Sequence, residues 1–116
     1  MESKELALAV CAALSDKKGE DIVCIDVKDK TSLCDYFVLA SGTSSTHIKT
    51  LAETLEEKME KNFALAPTRV EGVRDGRWSV LDYGDVIVHV FTREAREFYR
   101  LERLWESEGN LTRYGD

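Results

Sequence analysis

This sequence is poor in proline, in basic residues relative to acidic ones, and in long apolar runs. It has one proline and 16 basic against 22 acidic residues, for a formal net charge of −6 over 116 residues. The apolar runs have the length of strands, far short of the ~20 residues of a membrane span. Sequence-independent nucleic-acid binding needs Lys and Arg to neutralise phosphates. We therefore expect no membrane and no direct specific nucleic-acid binding, and the acidic balance suits a basic protein partner.

The cysteines and the N-terminus both bear on the cellular compartment. Cys11, Cys24 and Cys34 are odd in number and include no C-x-x-C pair, which argues against a disulfide framework or a zinc knuckle. Cys11 and Cys24 lie in apolar periodic segments, as small buried residues do, whereas Cys34 falls in a predicted loop. The first residues, MESKELALAV, include acids and show no cleavage-site pattern. We expect a cytoplasmic protein.

The length of 116 residues predicts a single domain over residues 1–116. The predicted order is α-β-β-α-β-β-β-α, which gives an α/β or α+β fold with a mixed five-stranded sheet and about three helices. The predicted helices cover 3–14, a long segment after SGTSS, and a last segment capped by Thr92 and ended by Gly109; the predicted strands cover 21–27, 36–40, 68–73, 78–82 and 86–91. We expect a right-handed crossover over 36–73 and a meander of the last three strands.

Three local patterns refine this fold. The run from Tyr36 to Ala40 is continuously apolar, as in a strand buried on both faces. Asp75-Gly76 predicts a two-residue hairpin turn. Core positions follow helical spacing in the long helix and in the last helix: Ile48, Leu51, Ala52, Leu55 and Met59, then Ala95, Phe98, Leu101, Leu104 and Trp105.

The segment SGTSS, residues 41–45, offers the best case for an enzyme. A Gly- and Ser-rich turn before a helix can hold a phosphate, and nucleotidyltransferases combine such a turn with carboxylates that bind Mg²⁺. The segment lacks the G-K-[ST] of a Walker motif. Asp82 and Asp85 are three residues apart across a predicted turn, so they do not share a strand face. N-capping of the long helix is the structural alternative.

Neither histidine has a recognisable catalytic partner in the sequence. Strand parity places His89 on the face opposite Val86, Val88 and Val90, where a lone histidine is more often a core residue than a base or a metal ligand. His47 falls in the first turn of the long helix, where a positive charge would oppose the helix dipole. We expect no catalytic residues, no metal site and no cofactor.

The residues from Trp78 to Asp85 also have the pattern expected of a surface that binds a protein partner. Trp78, Val80 and Asp82 share one strand face, and Tyr83 and Asp85 stand at the adjoining turn. Aromatic residues are common energetic anchors at interfaces, and surrounding acids select a basic partner. The alternative, in which Trp78 belongs to the core and Asp85 caps the turn, stays equally open on these residues alone.

Three blocks of the sequence resemble the ribosomal silencing factors, also called the Iojap-related family. They are DYFVLASGTSS (residues 35–45, running on to His47), the segment 78–91 with its LDYGD-x-x-VH core, and REFYRLERLW (residues 96–105). With their spacing they cover most of residues 21–105. Two positions depart from the family pattern: Thr46 replaces a residue that is often basic, and Cys34 replaces a small polar one.

The resemblance implies a fold similar to a small nucleotidyltransferase domain, without recognised catalysis. It implies binding to the large ribosomal subunit through its basic ribosomal protein fourteen. That contact blocks an intersubunit bridge and small-subunit joining, so translation falls under nutrient limitation. Homodimers are also implied. The residues carried over to the partner contact are Trp78, Leu81, Asp82, Tyr83, Gly84 and Asp85.

A steric repressor is therefore the main hypothesis. The alternatives are a metal-dependent nucleotidyl-transfer enzyme, which the SGTSS turn and the aspartates would serve, and a large-subunit assembly factor that uses the same partner contact. The enzyme and the repressor differ in what Asp82 does: it would hold a metal ion in the first and dock a partner in the second.

Overall fold

A mixed β-sheet forms the middle layer of the protein. The computed structural model describes residues 1–72 and 74–115. Its helices and strands are α1 Ser3–Asp16, β1 Glu20–Asp26, β2 Tyr36–Gly42, α2 Ser45–Phe63, β3 Arg69–Glu71, β4 Trp78–Asp82, β5 Val86–Thr92, α3 Arg93–Tyr99, α4 Leu101–Trp105 and β6 Leu111–Arg113. Within these residues the sheet order is β3-β4-β5-β2-β1-β6, with β2 parallel to β5 and the other neighbours antiparallel. The predicted α+β class with a mixed sheet is confirmed.

The helices α1 and α2 cover one face of the sheet. All five core positions predicted on the long helix are buried, and every residue of β2 is buried, as its continuous apolar run predicts. Cys11 lies on the buried face of α1, and half-buried Cys24 of β1 packs against the same core cluster. Valines 86, 88 and 90 face this helical layer, which confirms the strand parity.

The short helices α3 and α4 cover only part of the opposite face. Leu101 and Trp105 pack against a second cluster that contains Phe37, Leu39 and Phe91. The ring of Trp105 meets that of Phe37 edge to face at 5.1 Å. The helices α3 and α4 have seven and five residues, and they are too short to cover the strands β3 and β4 as well. One side of the sheet therefore stays partly open at its β3–β4 edge.

The last predicted helix is wrong as a single element. Thr92 caps it as predicted, with Oγ1 accepting a hydrogen bond from Ala95 N at 3.2 Å, but the helix breaks at Arg100, which has a left-handed φ of 46°. The break brings Arg96 and Glu102 together at 3.0 Å and turns Leu101 and Trp105 inward. Phe98 and Leu104, predicted to be core residues, are instead exposed by 79% and 73%.

The predicted five strands omit β6, and the predicted helix end at Gly109 is wrong. α4 ends at Trp105, and Gly109 lies in a turn with φ +80°. The amide of Asn110 donates to the carbonyls of Asp26 and Trp105 at 3.0 and 2.9 Å. These bonds hold the turn against β1 and align β6 beside it. A three-residue strand with little apolar character gives no sequence signal of its own.

The meander of β3, β4 and β5 is confirmed, but its first turn is not a two-residue hairpin. Residues 72–77 separate the two strands, with Gly72 and Gly76 both at positive φ. Val73, the end of the predicted strand 68–73, lies outside the described residues. β3 runs parallel to β2, with β5 and β4 between them. The handedness of that crossover stays a prediction.

Candidate docking surface

Four aspartates gather at one end of the sheet, which we call the acidic edge. Asp26 and Asp82 end β1 and β4, while Asp35 and Asp85 immediately precede the oppositely directed β2 and β5. Asp35 N donates to the Asp85 carbonyl at 2.8 Å, which ties the two loops together. Within the described residues, the ion pairs of this edge amount to Asp26 with Lys28 at 3.8 Å. The acidic edge therefore carries excess negative charge.

The negative charge of the acidic edge affects the pKa of the Cys34 thiol. Burial is the main cause that raises its pKa to about 11, and the carboxylates of Asp82 and Asp35 raise it further. The side chain is 5% exposed. Cys34 is thus a protonated, buried thiol beneath the acidic edge, although its position in a loop left its burial open from sequence.

The turn that links β4 to β5 is built by Asp82 and Gly84. Asp82 Oδ1 accepts a hydrogen bond from Gly84 N at 2.8 Å. Gly84 has a φ of +87°, and a Cβ added there would meet no atom within 4 Å. A glycine is therefore favoured at this position by the backbone conformation and not by a lack of space for a side chain. The neighbouring Asp85 is exposed and has no side-chain hydrogen bond within the described residues, so its carboxylate is available to a partner.

Two of the six predicted contact residues point away from the open face. Leu81 is fully buried against the helical layer, and Tyr83 packs against the same cluster. The Tyr83 hydroxyl is buried without a hydrogen-bond partner in the described part of the chain. Burial, and secondarily the charge of Glu56, raise the pKa of Tyr83. Leu81 and the inner side of the partly buried Tyr83 thus support the turn from the helical layer.

Trp78 lies on the open face of the sheet, and its indole N–H is hydrogen-bonded to a buried histidine. Its Nε1 donates to His89 Nδ1 at 3.1 Å. Its ring stacks on Phe91 at 4.9 Å and lies 4.7 Å from the ring of Tyr99. Burial lowers the pKa of His89 from 6.5 to about 4. His89 is therefore a neutral acceptor in the aromatic cluster at neutral pH, as the lone-histidine interpretation predicts.

An aromatic patch, formed by Trp78, Phe98 and Tyr99, continues this face onto α3. The rings of Phe98 and Tyr99 meet edge to face at 5.0 Å. Phe98 is 79% exposed and Tyr99 is 47% exposed. Large aromatic side chains held in contact but left in solvent are typical of interaction sites. Sequence reasoning missed Phe98 and Tyr99 as surface residues because it continued the helix through Arg100.

The SGTSS segment is a helix cap rather than an open phosphate cradle. Ser44 Oγ accepts a hydrogen bond from His47 N at 3.1 Å. The His47 ring accepts one from Thr43 N at 2.9 Å and donates to the Lys17 carbonyl at 2.8 Å. The segment's amide donors are thus partly used within the chain. In residues 1–72 and 74–115, no group of three His, Cys, Asp or Glu residues is placed to hold a metal ion.

Comparison with known proteins decides the family. The family model described as "Ribosomal silencing factor during starvation" matches residues 1–114. This chain belongs to the ribosomal silencing factor family. The ribosomal silencing factor of Bacillus subtilis is 33% identical over 105 residues, which cover 90% of this chain and 88% of that protein. A crystal structure of a Chromobacterium violaceum protein superposes with a TM-score of 0.87 at 33% identity, covering 95% of this chain and 92% of that one.

A mitochondrial relative widens the comparison. The mouse protein named "Mitochondrial assembly of ribosomal large subunit protein 1" is 34% identical over 95 residues, covering 79% of this chain and 41% of its own length. The general function of the chain is that of its family, the silencing of ribosomes. For a ribosomal silencing factor, the open face of β4 with its acidic edge and aromatic patch is the surface to consider for docking. No helix in the described part of the chain is long and apolar enough to span a membrane.

Proposed function

We propose that this silencing factor docks on basic ribosomal protein fourteen of the large subunit and occupies volume that the small subunit needs. The contact blocks an intersubunit bridge, so subunits fail to join and translation falls under nutrient limitation. The observation that carries the proposal is one continuous face with two kinds of groups. Trp78 and Asp82 lie on the same side of β4, four residues apart, which is about 13 Å along a strand. Exposed aromatics lie at one end and carboxylates at the other.

The two ends of this surface have different roles in docking. The aromatic patch supplies apolar area, which is the usual source of binding energy at an interface. The acidic edge attracts a basic partner and sets its orientation. Asp85 has the free carboxylate of the turn, whereas Asp82 also holds the turn through Gly84. Leu81 and Tyr83 support the surface from the core side.

Inhibition in this proposal needs no chemical step. A bound protein of 34 × 34 × 27 Å prevents joining sterically, so repression depends on its concentration relative to the large subunits. The site of action is the cytoplasm, where the subunits meet. We also propose a homodimer, which rests on the family resemblance alone; light scattering of the purified protein at several concentrations tests it, and a concentration-independent monomer mass contradicts it.

The test is a subunit-joining assay. Purified large subunits are mixed with the protein, small subunits are added, and the joined fraction is read by sedimentation. Asp85→Arg and Phe98→Ala remove one group from each end of the docking surface. We expect each variant to need about tenfold more protein for half-inhibition, which corresponds to about 1.4 kcal/mol of docking free energy.

Matched controls separate docking from general effects. Glu57→Arg makes the same charge change on an exposed position of α2, and Phe63→Ala makes the same truncation at the end of α2. Both controls should inhibit like the wild type. Equal losses in the test and control variants, or full inhibition by Asp85→Arg, would show that this surface is not the docking site.

A nucleotidyl-transfer enzyme makes a different prediction for Asp82. Asp82→Asn would abolish Mg²⁺-dependent turnover and leave ribosome binding intact in an enzyme. In the proposed repressor the same variant weakens docking, and nucleotides with Mg²⁺ are not turned over. A turnover that Asp82→Asn removes would overturn the steric proposal.

A role in assembly of the large subunit is the second candidate, favoured by the name of the mouse relative. The two functions separate in cells that lack the protein. Loss of an assembly factor depletes mature large subunits even in rich medium. Loss of a steric repressor leaves their amount unchanged and raises the joined fraction in starved cells.

A further inference from the structure

A cavity of about 480 Å³ lies at the end of the sheet opposite the acidic edge. Five of the chain's eight arginines line it: Arg93, Arg96, Arg100, Arg103 and Arg113. Three acidic residues share the lining and Glu20 pairs with Arg93, so the cavity keeps an excess of one positive charge in a chain whose net charge is −6. This is a local reversal of the overall charge, confined to a concave site. We propose that the cavity binds a small molecule that carries two or more phosphoryl groups.

The floor of the cavity is a fixed, buried arginine. Arg96 is 8% exposed. Its Nη1 donates to the Asp21 carbonyl at 2.5 Å and to Ser41 Oγ at 3.1 Å, while its Nε donates to Glu102 at 3.0 Å. Its Nη2 has no hydrogen bond within the described residues, and Arg96 is part of the cavity lining. The site therefore has one guanidinium whose orientation is set before any ligand arrives.

The arginines at the rim differ in how many of their N–H groups already form hydrogen bonds within the chain. Arg93 forms two bonds of 2.7 Å with the Glu20 carboxylate. In the described part of the chain, Arg100 uses only its Nε, which donates to the Glu97 carbonyl at 3.1 Å. Within the described residues, neither Arg103 nor Arg113 has a side-chain hydrogen bond or an ion pair. The guanidinium groups of Arg100, Arg103 and Arg113 are thus available to bind the oxygens of a ligand. A guanidinium group can donate two parallel hydrogen bonds to one phosphate.

The place of the cavity in the fold also suits a ligand. Ser41 is near the carboxyl end of β2, and Arg93 directly follows the carboxyl end of the parallel strand β5. The carboxyl ends of adjacent parallel strands are where open α/β sheets bind ligands. A volume of 480 Å³ is within the range of small-molecule sites.

Size and charge favour a small phosphorylated molecule over RNA. An RNA backbone needs a basic track along the surface, but here the surplus arginines converge on one cavity of an acidic protein. The donors of Arg100, Arg103 and Arg113, together with the Nη2 of Arg96, favour a ligand with more than one phosphoryl group, since each guanidinium can pair with a phosphate through two bonds.

The test is calorimetric titration of the whole protein at fixed ionic strength. The titrants are pyrophosphate, ATP, inorganic phosphate and a single-stranded RNA oligonucleotide. We expect saturable binding of one pyrophosphate or ATP per chain, with inorganic phosphate weaker. Stronger binding of ATP than of pyrophosphate identifies a nucleotide, and equal binding identifies the phosphoryl groups as the recognised part.

Variants of matched charge assign the site. Arg103→Gln combined with Arg113→Gln should weaken binding about tenfold or more, since both arginines are exposed and carry little of the fold. Arg69→Gln combined with Arg77→Gln removes two exposed arginines near the β3–β4 edge and should leave binding unchanged. Absence of saturable pyrophosphate and ATP binding, or equal losses in the two double variants, overturns the proposal. RNA binding that depends on Arg103 and Arg113, without binding of the small ligands, replaces it with an RNA site.

Discussion

At the scale of single residues, His89 illustrates how burial removes a titratable group from chemistry near neutral pH. The ring lies between Phe37, Trp78 and Phe91, with centroid distances of 5.3, 5.9 and 6.0 Å. Its Nδ1 accepts from Trp78, and its Nε2 has no partner within the described residues. A proton on Nδ1 would break the bond to Trp78 and bury a charge. Burial therefore lowers the pKa of His89 from 6.5 to about 4.

This shift predicts a pH-dependent stability. Because the folded-state pKa of His89 lies below the unfolded value, the unfolded chain binds the proton more readily between the two values. The stabilisation is complete above pH 6.5 and is lost as pH falls toward about 4. We expect a loss of about 3 kcal/mol in the free energy of unfolding at pH 4 from this residue. Urea denaturation at a series of pH values measures it.

The variant His89→Gln serves as the control for this prediction. It keeps an acceptor for Trp78 but does not titrate, so its stability should fall less steeply between these pH values than that of the wild type. An NMR titration of the His89 ring in the wild type gives the pKa directly. An imidazole that titrates near 6.5 in the folded protein would contradict the prediction.

At the scale of elements, two left-handed residues decide where helices end. Arg100 interrupts the last helix with φ 46°, and Ala64 closes α2 with φ 53°. At Arg100 the break lies beside two bonds of Arg96, one to the Asp21 carbonyl, 75 residues away in the sequence, and one to Glu102, six residues away. At Ala64 the cap is local, with its N–H donating to the Glu60 carbonyl at 2.9 Å. Neither residue type favours this conformation, so neither end is marked in the sequence.

The cap of α2 gives a direct test at this scale. Ala64→Gly should raise the free energy of unfolding by about 0.5–1 kcal/mol, because glycine adopts positive φ without the steric cost of a Cβ. Ala66→Gly, an exposed position without positive φ, should lower it by a similar amount through the entropy of the unfolded chain. Denaturant midpoints at unchanged m-values measure both. A lower stability of Ala64→Gly would contradict the role assigned to this cap.

At the scale of the whole molecule, the two ends of the sheet carry opposite charge. The antiparallel strand directions bring Asp26, Asp35, Asp82 and Asp85 to one end, while the cavity at the other end collects five arginines. The proposed docking surface reaches α3 through Phe98 and Tyr99, but none of its residues lines the arginine cavity. The docking surface and the phosphoryl site rest on different side chains, so different variants test them.

The charge distribution predicts how docking responds to salt. Raising the salt concentration from about 0.05 to 0.5 M should slow association with large subunits about tenfold, because the attraction between the acidic edge and a basic partner is screened. Dissociation should change less, since the aromatic patch is not charged. Surface plasmon resonance on immobilised large subunits separates the two rates. Asp85→Arg should show a weaker salt dependence; an equal dependence in both proteins would remove Asp85 from the interface.

The sequence by itself determined the periodic parts of this protein. Alternation and helical spacing identify the buried strand β2, the core stripe of α2 and the opposite facing of Val88 and His89, because each pattern follows from local backbone geometry. The three blocks that resemble the ribosomal silencing factors are also contiguous segments, so the family can be recognised without a structure.

Only the tertiary structure decided what surrounds the candidate sites. The break at Arg100, the exposure of Phe98 and Leu104, and the strand β6 depend on contacts between residues as distant as Asp26 and Asn110. The acidic edge and the arginine cavity depend on strand order and direction, which bring together residues from separate segments. Helical spacing placed Phe98 in the core because it assumes a continuous helix, whereas the helix breaks at Arg100, between the ion-paired Arg96 and Glu102.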